Sequence, residues 1–514
     1  MKSIFKIIAL VLAVLMLATV AVGCGDDPVD TTPEDTTPAD TTPEDTTPTN
    51  EREQVKDAIP DDLNYSNVED NTITFLVRQS SDILTYEICC EELMNDTLFD
   101  AIHYRNIDVE NRLGVKIKQI HMSGANADKK AWFEALSTCV NTNADDYDAA
   151  AAYVAEAAKY VGQGLFYNVW DLTAMNEGGY LDLSKPWWNQ SFVNECTVYG
   201  ALYFLGGDLT ASETYGTHLV WFNKDLFNQK FPEETADTLY GLVDSGDWTI
   251  GKMTEYVSEV WDDVNSNGTI DDGDVVGFKY WQATDAGQMS SWMNAMGISP
   301  LSRDANGEYT ISDTFAAEVF PAFEAILSLY KSTGSMIVTE KTNTKADDLT
   351  SLSNGNLVFV FGYIGDGELY RNSNVKYGIL PQPKYNKEQE EYANGMWTWS
   401  STITVLSQIS ADRASMVSAV LEALAAESYK SVTPAYYSKV IQGRYSKDEA
   451  DARMFDLVLK TCEYTFANVY TVSLDQMTSI FKNLDADIQQ LLDSKKDVWP
   501  TKLQKLLDAL WTDS

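Results

Sequence analysis

The chain has 514 residues, 44% of them hydrophobic and 11% aromatic. That length exceeds what one core of ordinary size serves and fits two lobes or domains. Acidic residues number 77 against 37 basic ones, a formal net charge of -40. Such a surface repels phosphate backbones and anionic lipid, which argues against nucleic acid as a partner. The three histidines, His103, His121 and His218, are too few and too scattered for histidine catalysis or a zinc site.

Lys2 and Lys6 precede an apolar run over residues 7–22, which ends in small residues and Cys24. A basic start, an apolar middle and a small-residue exit describe a secretory signal. The run is also close to spanning length, so an uncleaved anchor is the alternative. Ala21-Val22-Gly23-Cys24 resembles the lipobox of bacterial lipoproteins, although Ala21 stands where that pattern usually has leucine. The resemblance implies removal of residues 1–23 and a diacylglycerol on the Cys24 thiol. TTP then recurs every five residues over 31–48. Repeated proline with Thr, Asp and Glu buries no core and stays extended and solvated. Residues 24–64 therefore read as a tether; some twenty extended residues reach roughly 60 Å.

Five further cysteines, Cys89, Cys90, Cys139, Cys196 and Cys462, are odd in number and irregular in spacing, which is no disulfide framework. One bridge stays open without a named pair. The adjacent Cys89 and Cys90 read as buried packing.

Residues 72–77 read as a buried strand, and a helix is expected over 96–113, stopped at Gly114, which best tolerates a left-handed cap. Residues 115–120 alternate as a strand, 129–140 as a helix, and 147–153 as a third strand. Strand, helix, strand, helix, strand argues for an α/β fold with a parallel sheet wrapped by helices.

The sharpest local motif lies at 263–274. Asp263, Asn265, Asn267, Asp271 and Asp274 place oxygens at positions 1, 3, 5, 9 and 12 of a twelve-residue loop. Gly268 falls at the sharp turn, and Thr269 would offer its carbonyl. Ca2+ suits this loop because it takes six to eight hard oxygens in flexible geometry. Asp274 replaces the usual bidentate glutamate, as in dockerin-type loops. The expected role is structural; the alternative is an acidic loop of Asx turns that stays empty.

Thirteen tryptophans are present, and Trp187, Trp188, Trp281, Trp292, Trp397 and Trp399 fall near turns. An indole face matches the apolar face of a pyranose. Trp397 and Trp399, in GMWTWSS, share one side of an extended segment and are the first choice for stacking. G-x-S-x-G, H-E-x-x-H, GxxxxGK[ST] and G-x-G-x-x-G are all missing, so no familiar catalytic pattern is offered. A glycosidase's paired carboxylates leave no local signature.

The last third reads as helical. Capping boxes stand at Ser446-Lys447-Asp448-Glu449, before Met454, Leu457 and Val458, and at Ser473-Leu474-Asp475-Gln476, before Met477, Ile480, Phe481, Leu484, Ile488 and Leu491. Pro500 suits a first turn ahead of Leu503, Leu506, Leu507 and Leu510.

LDLSKPWWN (181–189), ALYFLGGDLTASETYGTHLVWFNKDLF (201–227), SGDWT (245–249), MGISPL (296–301), KYGILPQPKYN (376–386) and ESYKSVTPAYYSKV (427–440) together resemble the extracellular solute-binding lipoproteins of ABC sugar importers. The resemblance runs over nearly all of the folded region. It implies an α/β, two-lobed periplasmic-binding-protein-like (type II) fold with central mixed sheets, hinge crossings and a helical C-terminal region. One lobe would hold 65–210 and 385–430, the other 211–384 and 431–514, with crossings near 204–223, at 375–383 and after the helix ending near Lys430. Ligand would sit between the lobes, near Glu213, Tyr363, Asp366, Trp397 and Trp399, with Trp281 and Trp292 from the second lobe; Trp187 and Trp188 would pack within a lobe.

The expected function is a lipid-anchored, monomeric binding protein on the outer face of the cell membrane. It would pass a carbohydrate unchanged to permease subunits of an ABC transporter. A tethered carbohydrate-active enzyme with a carboxylate pair and an acidic surface adhesin are the alternatives.

Overall fold

The computed structural model describes residues 51–281, 289–338, 352–370, 373–440 and 449–511, without side chains for Glu51 and Trp281. The signal, Cys24, most of the tether and residues 446–448 of one capping box lie outside them.

Strand β1 (Thr72–Gln79) buries Phe75, Leu76 and Val77 in succession, as a strand covered on both faces must. Helix α1 (Thr97–Leu113) begins where Asp96 accepts the Leu98 and Phe99 N–H groups. It ends at Gly114, whose φ of +65° suits the only residue without a Cβ; one built there would meet Asn64 and Ser66 at 2.7 Å. Strand β2 (Lys116–Ser123), helix α2 (Lys129–Thr142) and strand β3 (Ala149–Tyr153) follow. Strand β1 lies parallel between β2 and β3, so the expected βαβαβ unit is present.

The chain then builds a second sheet: β4 (His218–Asn223), β5 (Trp261–Asp262) and β6 (Val275–Trp281). A hairpin, β7 (Leu301–Arg303) and β8 (Tyr309–Ile311), precedes β9 (Ser335–Val338), β10 (Leu357–Tyr363) and β11 (Tyr377–Leu380). The order is β11-β4-β10-β6-β5, with β9 also on β6. Strand β12 (Ser401–Val405) returns to the first sheet, antiparallel to β3, giving β12-β3-β1-β2. Each sheet anchors one lobe.

The first two crossings between the sheets lie side by side. Leu205 still bridges Ile403 of β12, whereas His218 opens β4. His218 N–H donates to Gly395 and Trp397 N–H to Gly216, both at 2.9 Å. The return crossing therefore lies at 397–400, later than the expected 375–383. Residues 381–396 stay on the second lobe: Pro381 accepts the Trp248 indole N–H at 2.9 Å, and Gln389 reaches the Ala295 carbonyl at 2.9 Å.

Helix α3 (Gln190–Cys196) belongs to the first lobe, as does α4 (Ala411–Glu427). A π-helical turn, Ser428–Val432, then leads into α5 (Thr433–Val440), the third crossing. Helix α6 (Glu449–Lys460) buries Met454 and Val458 and ties Asp451 to Lys224 at 2.7 Å. The helix expected after residue 473 is absent. Asp475 and Gln476 take φ of +56° and +54°, and the segment coils before an α-helical stretch at Ile488–Lys495. Its apolar side chains are buried nonetheless, Phe481 parallel to Phe323. The spacing was satisfied by turns folding onto the core. Helix α7 (Val498–Trp511) carries Pro500 in its first turn and spans both lobes. Trp499 meets Phe315 at 6.3 Å, while Trp511 meets Tyr199 at 4.8 Å. The C-terminal residues are thus not confined to the second lobe.

All five cysteines after Cys24 are buried and free. Trp187 and Trp188 are buried too, and the Trp188 indole donates to Glu422 at 3.0 Å. Burial pushes the Glu422 carboxyl up to about 8, Glu213 to about 7 and Asp208 to about 6. A carboxyl raised in the folded state stabilises the fold most at acid pH, and that stabilisation fades as pH climbs through its folded value. The melting temperature is therefore expected to fall by several degrees between about pH 5 and pH 8, with Glu422→Gln flattening the slope. A slope unchanged in the variant contradicts this.

Candidate ligand cleft

Open α/β sheets bind ligands beyond the carboxyl ends of their strands. Tyr153 is the last residue of β3, Tyr363 the last of β10, and the paired crossings run between them. Gly216 allows close approach there, since a Cβ would stand 2.7 Å from that of Trp397.

The result is a continuous row of rings. Tyr153 lies 4.9 Å from Trp399, which stands nearly parallel to Trp397 at 6.4 Å. Trp397 in turn meets Tyr215 at 5.8 Å and Tyr363 at 6.0 Å, and Tyr363 meets His218 at 4.7 Å. Trp397, Trp399, Tyr215 and Tyr363 are all partly exposed, so the row offers faces and edges to solvent.

Polar groups frame it. The Lys129 ammonium lies 4.5 Å from the centroids of both Tyr153 and Trp399 and pairs with Glu156 at 3.0 Å. Arg78, buried beneath, donates to the Trp399 carbonyl at 2.9 Å and to Ser401 at 2.7 Å. Burial lowers its guanidinium to about 10, against the pull of the Glu87 charge. Arg78 thereby fixes the Trp399 backbone from the core side.

Of the residues expected here, the structure brings Trp397, Trp399 and Tyr363 together. Three others face inward, because their polar atoms already have protein partners. The Glu213 carboxylate accepts the Gly207 N–H at 2.6 Å and the Asn189 amide at 3.1 Å. Asp366 is buried and accepts the Tyr363 N–H at 2.8 Å, which orients that tyrosine instead of facing a ligand. Trp292 is wholly buried, parallel to Phe361 at 5.3 Å, and donates to the Tyr330 hydroxyl at 3.0 Å. Trp281 ends β6 opposite Val338; its side chain lies outside the described residues. Tyr153, Tyr215 and Lys129 are additions. Tyr153 and Lys129 had a sequence signal only as the last residue of an expected strand and the first of an expected helix.

In the 263–274 loop, Asp263 accepts the N–H groups of Asn267 at 3.0 Å and Gly268 at 2.7 Å. The amides of Asn265 and Asn267 both reach Asp271, so the side chains of three of the six expected ligands meet. Asp274 is turned to the Val264 N–H at 3.0 Å and the Trp261 indole at 3.2 Å. Among the described residues, no three His, Cys, Asp or Glu side chains form a metal cluster. The expected donors are all oxygens, from carboxylates, amides and a carbonyl, and these hard donors fit Ca2+ rather than a softer metal. Among the described residues, no helix is long and apolar enough to cross a membrane.

No family model matches the chain, and no curated protein matches it. Solved structures do. The GacH receptor of Streptomyces glaucescens GLA.O, solved unliganded and with acarbose, aligns over 85% of this chain and 99% of its own, with TM-score 0.52 and 11% identity. A cyclo/maltodextrin-binding protein complexed with maltotetraose aligns over 86% and 97%, with TM-score 0.50 and 9% identity. Apo RafE from Streptococcus pneumoniae aligns over 84% and 98%, with TM-score 0.50 and 14% identity. The chain accordingly has the two-lobed, periplasmic-binding-protein-like α/β fold that these structures share.

Proposed function

We propose that the chain is the lipid-anchored, extracellular substrate-binding component of an ABC transporter, which binds a carbohydrate between its lobes and delivers it to a membrane permease. The observation that carries this reading is the ring row from Tyr153 through Trp399 and Trp397 to Tyr363, which spans both sheets. Flat aromatic faces take the apolar faces of pyranose rings, and Lys129 and Glu156 supply charge-assisted hydrogen bonds to hydroxyls. Rotation about the paired crossings closes the lobes on the solute, and closure is the signal to the permease. The likeness to sugar-binding receptors supports the substrate class. The signal and lipobox pattern supports the anchor at Cys24, and the chain works as a monomer.

Purified protein titrated with maltose, maltotetraose and raffinose tests the reading. Saturable quenching of tryptophan fluorescence, with the sugar recovered intact by chromatography, is the expected result. Release of a shorter product, or no response to any oligosaccharide, overturns it.

Ca2+ is proposed for the 263–274 loop, held by Asp263, Asn265, Asn267, Asp271 and the Thr269 carbonyl, with Asp274 leaving its Val264 and Trp261 partners to join them, where it would pin the loop to β6. A chelator is expected to lower the melting temperature by a few degrees, and Asp263→Ala to remove that difference. A parent protein indifferent to chelator refutes the site.

A further inference from the structure

The described chain starts at a short helix, Glu51–Gln54, directly after the proline-rich repeats. Arg52 of this helix lies 4.4 Å from the centre of the Tyr429 ring and donates to the Tyr429 carbonyl at 3.2 Å. It also donates to the Asp456 carboxylate at 2.9 Å. Tyr429 sits in the π-helical turn of the third crossing, where it also meets Trp187 at 6.2 Å. Asp456 belongs to α6, which packs on β11 of the second lobe.

A few residues on, the same segment is fixed to the first lobe. Asp57 accepts two hydrogen bonds from Arg112 of α1, at 2.6 and 2.8 Å, and Ile59 enters the core. Residues 52–59 therefore cross the hinge, holding the second lobe at one end and the first at the other.

The two ends differ in strength. The Asp57 side chain is 5% exposed and bound bidentately. Burial works against its charge, yet the Arg112 guanidinium holds its carboxyl below the ordinary value. Asp456 is 64% exposed, and an exposed pair of this kind is weak. Relative rotation of the lobes strains the Arg52 end first, because that end alone reaches across the crossing.

We propose that residues 52–59 are a strap over the hinge, whose Arg52 end latches the lobe arrangement seen here and lets go when the lobes rotate. The strap rests on the two-lobed reading but not on the identity of the solute. A π-helical turn is a frequent mark of a functional site within a helix, and here it supplies the surface on which the latch closes.

Spin labels report the distance between lobes without any ligand. Cysteines replacing Lys118 on β2 and Glu259 on the second lobe are both exposed, and Cys24→Ser removes the thiol at the start of the tether. The five remaining native thiols are buried, so the labels go to the introduced pair. Arg52→Ala and Asp456→Asn are each expected to raise the fraction of molecules away from the distance given by the arrangement seen here by about threefold, the scale of a weak exposed contact. Arg52→Lys, which keeps the charge but loses the planar contact with Tyr429, is expected to fall between them and the parent. Distance distributions that coincide in parent, Arg52→Ala and Asp456→Asn overturn the strap. If Arg52→Ala does not fold, Asp456→Asn at its exposed site decides alone. A shifted distribution in a protein that binds no sugar keeps the strap and removes the carbohydrate reading.

Discussion

Trp399→Ala is expected to weaken oligosaccharide binding about 10- to 100-fold, or about 1.4 to 2.8 kcal/mol. Trp399 is the joint of the ring row, parallel to Trp397 at 6.4 Å, tilted against Tyr153 at 4.9 Å, and under the Lys129 ammonium at 4.5 Å. Removing one indole takes away a stacking face and one of the two rings under Lys129, and central aromatic anchors of this kind carry most of the binding energy at a site. The effect belongs to the cleft and not to stability, because Trp399 is partly exposed while its carbonyl keeps the Arg78 bond. Trp292→Phe is the matched control. It removes the bond to Tyr330 inside the second lobe, so it lowers melting temperature and leaves affinity unchanged. Calorimetric titration of both variants separates the two roles, and equal affinities in parent and Trp399→Ala would remove the row from the binding site.

Arg413→Ala is expected to cost about 3 to 5 kcal/mol of folding stability, the scale of a broken buried ion pair. Its guanidinium holds Asp148 through Nε at 2.6 Å and Nη2 at 2.8 Å, and reaches the carbonyls of Asp70, at 2.7 Å, and Thr72. Asp148 also accepts the Thr74 N–H at 2.8 Å. One side chain on α4 thus ties that helix to the start of β1 and to the residue before β3. Without it, a nearly buried carboxylate keeps only backbone partners. Chemical denaturation should show a lower midpoint, and the double variant with Asp148→Asn should lose less than the sum of the two single variants. Additive losses would mean that the two groups do not act as a pair.

The first sheet was legible because its signals are local. The buried run of β1, the Asp96 cap and the Gly114 stop each depend on a few adjacent residues. The region after residue 473 was not, because its apolar spacing fits a helix and a coiled turn alike. Left-handed backbone at Asp475 and Gln476 decided for the turn. Within the cleft, Trp397 and Trp399 were readable as neighbours on one side of an extended segment. Trp292 and Glu213 misled for the opposite reason. Their burial is set by Tyr330, Phe361, Asn189 and Gly207, brought close only by the tertiary fold. Lys129 and Tyr215 escaped notice because strand order places them in the cleft, and strand order is not written in any short stretch.

Strand β12 completes the first sheet by pairing Val405 with Ala149, after the chain has passed through both sheets' other strands. Contacts so distant in sequence close slowly, since their loop entropy is lost before they are rewarded. During synthesis, β1, β2 and β3 leave the ribosome long before their missing edge arrives. The first sheet therefore cannot close its edge until residues 401–405 have been made, so its three earlier strands wait on the synthesis of the intervening stretch of about 250 residues.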